Sequence, residues 1–264
     1  MQNVMLPVLI LFVLFQVSPV SAEPDQKQIS PHSAVSLPFR PGEKLTYEVS
    51  WSNIIDAGSA VMEVGEERRQ DGKVVYRLIS TARSTGLVAK FYKVSDRVES
   101  LFDIEKLRSL AYSLDQHHGK RTKKRKMMFN YANGTVLVLT DGKQTQYTMP
   151  ADTQDALSSL YYVRTKQDFT VGKPIIVNVH EDDKNWAVEV QTLGREKLKT
   201  SFGEFNTIKV KTYPKYEGVF QSKGEIYIWF TDDARRIPVL MKSMISIGSI
   251  VATLVDMRIG EENK

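Results

Sequence analysis

The sequence predicts a mainly β protein, a long antiparallel curved sheet or open barrel wrapped around one central helix. Three observations carry that expectation. Apolar and polar residues alternate through most of the 264 residues, the period of two of half-buried strands. The alternating runs are separated by tight-turn pairs, Pro41-Gly42, Asp71-Gly72, Asn133-Gly134 and Asp141-Gly142, and short connections favour antiparallel neighbours over parallel crossovers. One stretch alone, Ala151 to Arg164, has clear helical spacing. A sheet of this many strands must curl, and a lone amphipathic helix must bury its stripe against it, so the helix is the natural plug for the concave face. Two consecutive β-subdomains, divided near residue 150 or 170, are the alternative.

The first residues read as an address. Leu6 to Phe15 is an apolar run too short to span a bilayer, and Val20-Ser21-Ala22 is a small-residue cleavage site. Residues 1–22 are therefore expected to be a signal peptide, cleaved after Ala22. Residues 23–38 carry Pro24, Pro31 and Pro38 with few large apolar side chains and read as a disordered leader. Residues 39–260 follow as a single β-rich domain. The absence of cysteine excludes lipidation on cysteine, disulfides and thiolate metal sites. Export without disulfides fits a bacterial periplasm.

The strands come in order. Leu45, Tyr47, Val49 and Trp51 alternate with Lys44, Thr46, Glu48 and Ser50. Ala60, Met62 and Val64 continue the pattern, and Tyr76, Leu78, Ser80 and Ala82 return after Asp71-Gly72. Gly86 to Tyr92 fits either one short helical turn or a strand bend. Val94 to Phe102 and Leu107 to Leu114 form a pair, and Arg121 to Tyr131 and Thr135 to Thr140 form a hairpin around Asn133-Gly134. Gln144 to Met149 precedes the helix. Beyond it, Ile175, Val177 and Val179 lead to the acidic turn Glu181-Asp182-Asp183-Lys184 and then to Trp186, Val188 and Val190. A further hairpin surrounds Phe202-Gly203-Glu204-Phe205. Ile226, Ile228 and Phe230 precede Asp232-Asp233, Pro238 restricts its strand to an edge or to its first residues, and Ile250, Ala252 and Leu254 mark the last strand.

In the helical stretch, Pro150 stops the preceding strand and Asp152 or Thr153 can cap the first turn. Asp155 then falls within that turn, where the helix dipole favours a carboxylate. Ala156, Leu157, Leu160, Tyr161 and Arg164 recur at helical spacing. The helix is too small to cover the whole sheet, so an apolar groove beside it, lined by Leu157, Leu160 or Tyr161, would suit an acyl chain.

The chain resembles a bacterial envelope family known as domain of unknown function 3108. The resemblance rests on Gly42-Glu43-Lys44-Leu45-Thr46-Tyr47 with Ala57-Gly58, on Gln154 to Arg164, and on Phe202-Gly203-Glu204-Phe205. Ile228-Trp229-Phe230-Thr231-Asp232-Asp233 and Arg236-Ile237-Pro238 complete it. It spans nearly all of the mature chain but implies no activity. It implies at most an open barrel like those of envelope proteins that hold lipid.

Six of the seven residues from Lys120 to Lys126 are basic: Lys120, Arg121, Lys123, Lys124, Arg125 and Lys126. They suit an acidic lipid or polymer, although Arg121, Lys123 and Arg125 would face one side of a strand and Lys124 and Lys126 the other. That arrangement also fits a solvated strand end projecting beyond the core. Nucleic acid is not expected, since no nucleic-acid-binding motif is present. His117 and His118 are neighbours on a strand and cannot share one metal, and His180 stands alone, so no metal or other cofactor is expected. Glu181, Asp182, Asp183 and Asn185 offer oxygen ligands, but a hairpin turn is the simpler reading. No hydrolase or phosphate-loop motif occurs. The favoured reading is an exported, non-enzymatic envelope protein binding an apolar or lipid-like ligand or an envelope component, its partner protein unknown. The alternatives are a polysaccharide-acting enzyme using Asp155, Asp232 and Asp233, and a module that adds a partner's strand to a bare edge.

Overall fold

Fourteen strands run along one antiparallel sheet in the order β8-β7-β6-β5-β4-β3-β2-β1-β15-β14-β13-β11-β10-β9, and β12 pairs off this path with β11. The computed structural model describes residues 37–69, 72–216, 219–220, 225–245 and 248–260. The expected signal peptide, all of the leader before Leu37 and Asp71 of the first hairpin lie outside the described residues. The first half comprises β1 (Lys44–Trp51), β2 (Ile55–Arg68), β3 (Val74–Ser84), helix α1 (Gly86–Phe91), β4 (Val94–Asp103), β5 (Arg108–His118), β6 (Arg121–Asn130), β7 (Thr135–Thr140) and β8 (Lys143–Thr148). Helix α2 (Ala156–Arg164) follows. Then come β9 (Ile175–Glu181), β10 (Lys184–Thr200), β11 (Gly203–Tyr216), β12 (Val219–Phe220), β13 (Ile226–Thr231), β14 (Pro238–Met244) and β15 (Ser249–Arg258).

The architecture is two meanders, β1–β8 and β9–β15, joined by one ladder between β1 and β15 in which Val49 opposes Ala252. The sheet is continuous, not divided near residue 150 or 170, and it is not closed. Its register slips at Thr46/Tyr47, Val49/Ser50, Leu101/Phe102 and Trp229/Phe230. Such bulges add twist and bend the strands, and here they curl the sheet around one apolar core. Leu45, Tyr47, Leu78, Phe102, Met127, Val136, Ile208, Phe230 and Leu254 belong to that core. Pro238 opens β14, where the missing N–H is tolerated. Gly86–Phe91 is a short helix rather than a strand bend.

Helix α2 packs against β3, β4, β5 and β9, and its start differs from expectation. Asp152 takes φ +56° and Thr153 donates its hydroxyl to Pro150 O at 2.7 Å, so neither caps. Asp155 itself is the N-cap. Its carboxylate accepts from Ser158 N at 2.8 Å, and Asp155 N donates to Ser158 Oγ at 3.0 Å, a reciprocal capping box. Ser100 and Ser109 hydroxyls also donate to this carboxylate, at 2.6 and 2.5 Å. The helix is therefore about 13 Å long by its rise, and both ends are tied to the sheet.

At the far end, the Arg164 side chain has no exposure and pairs with Glu43, whose side chain is 3% exposed. Nη1 reaches Oε1 at 2.7 Å and Nη2 reaches Oε2 at 2.8 Å. The remaining donors go to Arg235 O and Pro38 O, and the guanidinium lies over the rings of Phe39 and Tyr161. Removing one partner of such a pair strands a buried charge. Glu43→Ala is expected to lower stability by about 3–5 kcal/mol, whereas Glu43→Leu combined with Arg164→Met should cost clearly less. Urea midpoints of the two variants give the comparison, and equal losses would show that the charge itself contributes nothing.

Candidate functional site

Where the sheet fails to close, side chains do the joining. Its edge strands β8 and β9 share no backbone ladder. Lys123, Arg125, Met127 and Phe129 occupy alternate positions on β6, and the last three are buried. Lys123 Nζ lies 3.2 Å from Asp182 Oδ1, and Arg125 Nη2 lies 3.0 Å from Asp183 Oδ1. The Arg125 side chain is only 2% exposed. Asp182 and Asp183 form the two-residue β9–β10 turn with φ of 47° and 63°, left-handed values that aspartate tolerates and that suit a hairpin. The Tyr147 ring of β8 lies 5.3 Å from the His180 ring. His180 Nδ1 is 2.8 Å from Asn185 Oδ1, and Asn185 Nδ2 donates to Thr148 O at 2.8 Å. The free edge of β9 is covered by Gln154, whose N–H donates to Asn178 O and whose carbonyl accepts from His180 N.

A group of buried polar atoms lies within this seam. Tyr112 Oη, Arg125 Nε, His180 Nε2 and Glu181 Oε2 are all buried without a hydrogen-bond partner. Unpaired polar atoms are costly in an interior and tend to mark a function or a bound polar group. The charges act on one another. Burial first, and then the Asp182 charge, raise the Glu181 carboxyl to about 7, against the pull of Arg125 and Lys123. Burial lowers the His180 imidazole and holds the Tyr112 phenol well above its ordinary value. Near neutral pH the seam thus holds a neutral imidazole and a carboxyl balanced between its two forms.

The model of the protein family of unknown function DUF3108 matches residues 46–255. The chain belongs to this family. Among solved structures, this DUF3108 protein is similar to a β-barrel-like protein of domain of unknown function DUF1849 from Brucella abortus. They share 13% identity at a TM-score of 0.60, over 86% of this chain and 100% of that one. A candidate exported protein with a YmcC-like fold from Bacteroides fragilis matches at 10% identity and a TM-score of 0.37, with the same coverage. A search of curated proteins finds no match. At such identities the Brucella likeness speaks for the fold alone.

The residues singled out from the sequence are distributed unevenly. Leu157 and Tyr161 are buried in the core, while Leu160 is only partly buried. The Tyr161 ring stands edge-on to Phe39 at 4.8 Å. The basic run does not project as a solvated edge, because β6 lies between β5 and β7 and buries Arg125. Lys120 and Arg121 are exposed at its start. Lys124 and Lys126 line an outer groove of about 610 Å³ with Arg97, Glu99 and Asp115. His118 Nε2 pairs with buried Asp96 at 2.7 Å, and His117 pairs with Asp115 instead. Asp155 is held by serines of β4 and β5, while Asp232 meets Arg195 and Arg236 and Asp233 meets Thr231 and Arg235. Asp155 shares no partner with the other two, which meet only through Arg236, whose guanidinium reaches Asp232 and whose N–H donates to Asp233. Asp182, Asp183 and Asn185 likewise turn to separate partners, and among the described residues no group of three or more His, Asp or Glu side chains could hold a metal. Tyr112 is the seam residue that the sequence reading misses, and Glu181 reads there only as part of a hairpin turn, not as a buried carboxyl. The alternation Val177, Val179, Glu181 was the available signal, since it aims a carboxylate at the core.

The Glu181 shift has a testable sign. Its folded value lies above its ordinary 4.5, so the associated stability is full below 4.5 and is lost as pH rises through about 7. His180, lowered by burial, acts oppositely: its contribution is full above the ordinary histidine value and falls away in acid. Glu181→Gln should therefore be more stable than the parent at pH 8, by up to about 3 kcal/mol, with the gain shrinking toward zero near pH 5. Urea midpoints at both pH values test this, and a gain independent of pH would mean that Glu181 does not titrate in this window.

Proposed function

We propose that this DUF3108 protein is an exported, non-enzymatic envelope protein that binds an apolar or lipid-like ligand in its curved sheet. The observation that carries the reading is the seam, where two sheet edges meet through side chains instead of a backbone ladder. Side-chain closure costs less to open than a row of backbone hydrogen bonds. A parted seam would offer the unpaired donors of Tyr112 and Arg125 to the polar end of an amphiphile. The apolar part would lie toward Val177, Val179 and helix α2, with Leu157, Leu160 and Tyr161 as its lining. Each CH₂ buried contributes about 0.8 kcal/mol. The leader-like first residues support export to the periplasm, with cleavage after Ala22. The enzyme alternative finds support in one feature only: a carboxyl held near 7 is poised for proton transfer, and that carboxyl is Glu181 rather than any of the three aspartates.

Titration with a fluorescent fatty acid is expected to saturate in the micromolar range. The chain lacks cysteine, so Lys123→Cys with Asp182→Cys can be joined by a short bismaleimide without side reactions. The joined protein should lose most of its binding, while the unjoined double variant keeps it. Undiminished binding after crosslinking would place the entry elsewhere. No saturable binding, with no lipid carried through native mass spectrometry, would overturn the carrier reading.

A further inference from the structure

Phe91 and Ile54 are 87% and 83% exposed, more than any other large apolar side chain among the described residues, with Val171 next at 62%. Both stand at the same end of the sheet. Ile54 sits in the β1–β2 turn. Gly58, three residues into β2, opposes Ser84 at the end of β3, and α1 starts two residues later and packs on β2. Phe91 is not a frayed tip. Thr85 N donates to Ala57 O at 3.2 Å and Gly119 N donates to Lys93 O at 2.8 Å, so both flanks of α1 are bonded to the sheet. Val88 packs against the core. The same contact at Gly119 brings the β5–β6 turn alongside, so exposed Lys90, Lys93 and Lys120 lie at the same end of the sheet as Phe91. Asp56 beside Ile55 is an exposed carboxylate on this rim, which leaves the Phe91 side as the cationic one.

We infer that this end of the sheet docks on an anionic lipid bilayer. A protein interface would want an apolar centre depleted of lysine, whereas here lysines flank the Phe91 tip. That mixture suits the bilayer boundary, where aromatic and aliphatic tips enter the headgroup layer and lysines meet lipid phosphates. The rim is a docking surface and not the ligand site, and it stands whether or not the seam carries a ligand.

A reporter at one position reads this rim separately from any insertion of the first residues of the full chain. Thr85 is exposed and makes no side-chain cap bond, so Thr85→Cys accepts a polarity-sensitive dye as the sole thiol. Vesicles of phosphatidylglycerol and phosphatidylcholine should raise the dye's emission, and vesicles of phosphatidylcholine alone should not. Adding Phe91→Ser and Ile54→Ser should weaken the response at least about tenfold, as loss of two buried apolar tips predicts. Serine at Lys90, Lys93 and Lys120 should do the same at low salt, with less effect near 0.15 M, where the screening length is about 8 Å. Ile176→Ser, which removes a 52% exposed apolar side chain on β9, should change nothing. No response to anionic vesicles, an equal response to neutral ones, or patch variants that behave as the parent would each overturn the inference.

Discussion

The pairing of Arg164 with Glu43 is the constraint on which the remaining structure depends. It links positions 121 residues apart and fixes the end of helix α2 to the start of β1. The helix thus cannot slide along the concave face. An isolated buried pair of this kind is an expensive way to stabilise a protein, since desolvation consumes most of the attraction. What it supplies is position. Every other polar anchor of the helix follows from that position: the Asp155 carboxylate reaches Ser100 and Ser109, and Gln154 reaches the edge of β9.

Burial raises the Asp155 carboxyl, and hydrogen bonds from Ser100, Ser109 and Ser158 draw it back. The seam contrasts with that site. Asp155 has donors on every side, whereas Glu181 retains a buried oxygen with no donor. The difference comes from geometry. Asp155 caps a helix whose N–H groups point at it, and two serines on neighbouring strands share its face. Glu181 ends a strand at the place where the sheet overlaps itself, and the cations nearest to it are already engaged by Asp182 and Asp183.

Much of the fold was legible because alternation survives in short windows. The inward set Leu45, Tyr47 and Val49 can be read without knowing any partner, and Asn133-Gly134 announces its hairpin locally. The start of α2 was harder, because Asp152, Thr153 and Asp155 are all good caps. Tertiary contacts decided among them: Gln154 is drawn onto β9, so the chain cannot turn helical before Ala156. The split of the basic run between two faces follows from a period of two, but the burial of Arg125 does not. It depends on Asp183 arriving from a hairpin far along the chain, and no local pattern encodes that meeting. The exposure of Phe91 was equally hidden, since an apolar residue in a short helix ordinarily suggests a buried one.

The strand order also has a consequence for how the chain acquires its structure. Each strand from β1 to β8 finds its neighbour next in sequence, and so does nearly every strand from β9 onward. The exception is the ladder of β1 with β15, which sits in the middle of the sheet. Each meander can form as soon as its own residues are available, but the two cannot join until the last strand has been made. Until then β1 is a bare edge carrying Leu45, Tyr47 and Val49, the kind of surface that invites pairing with another chain. The slow event in folding should be this one long-range closure, and a chain shortened by its final strand would present that edge permanently.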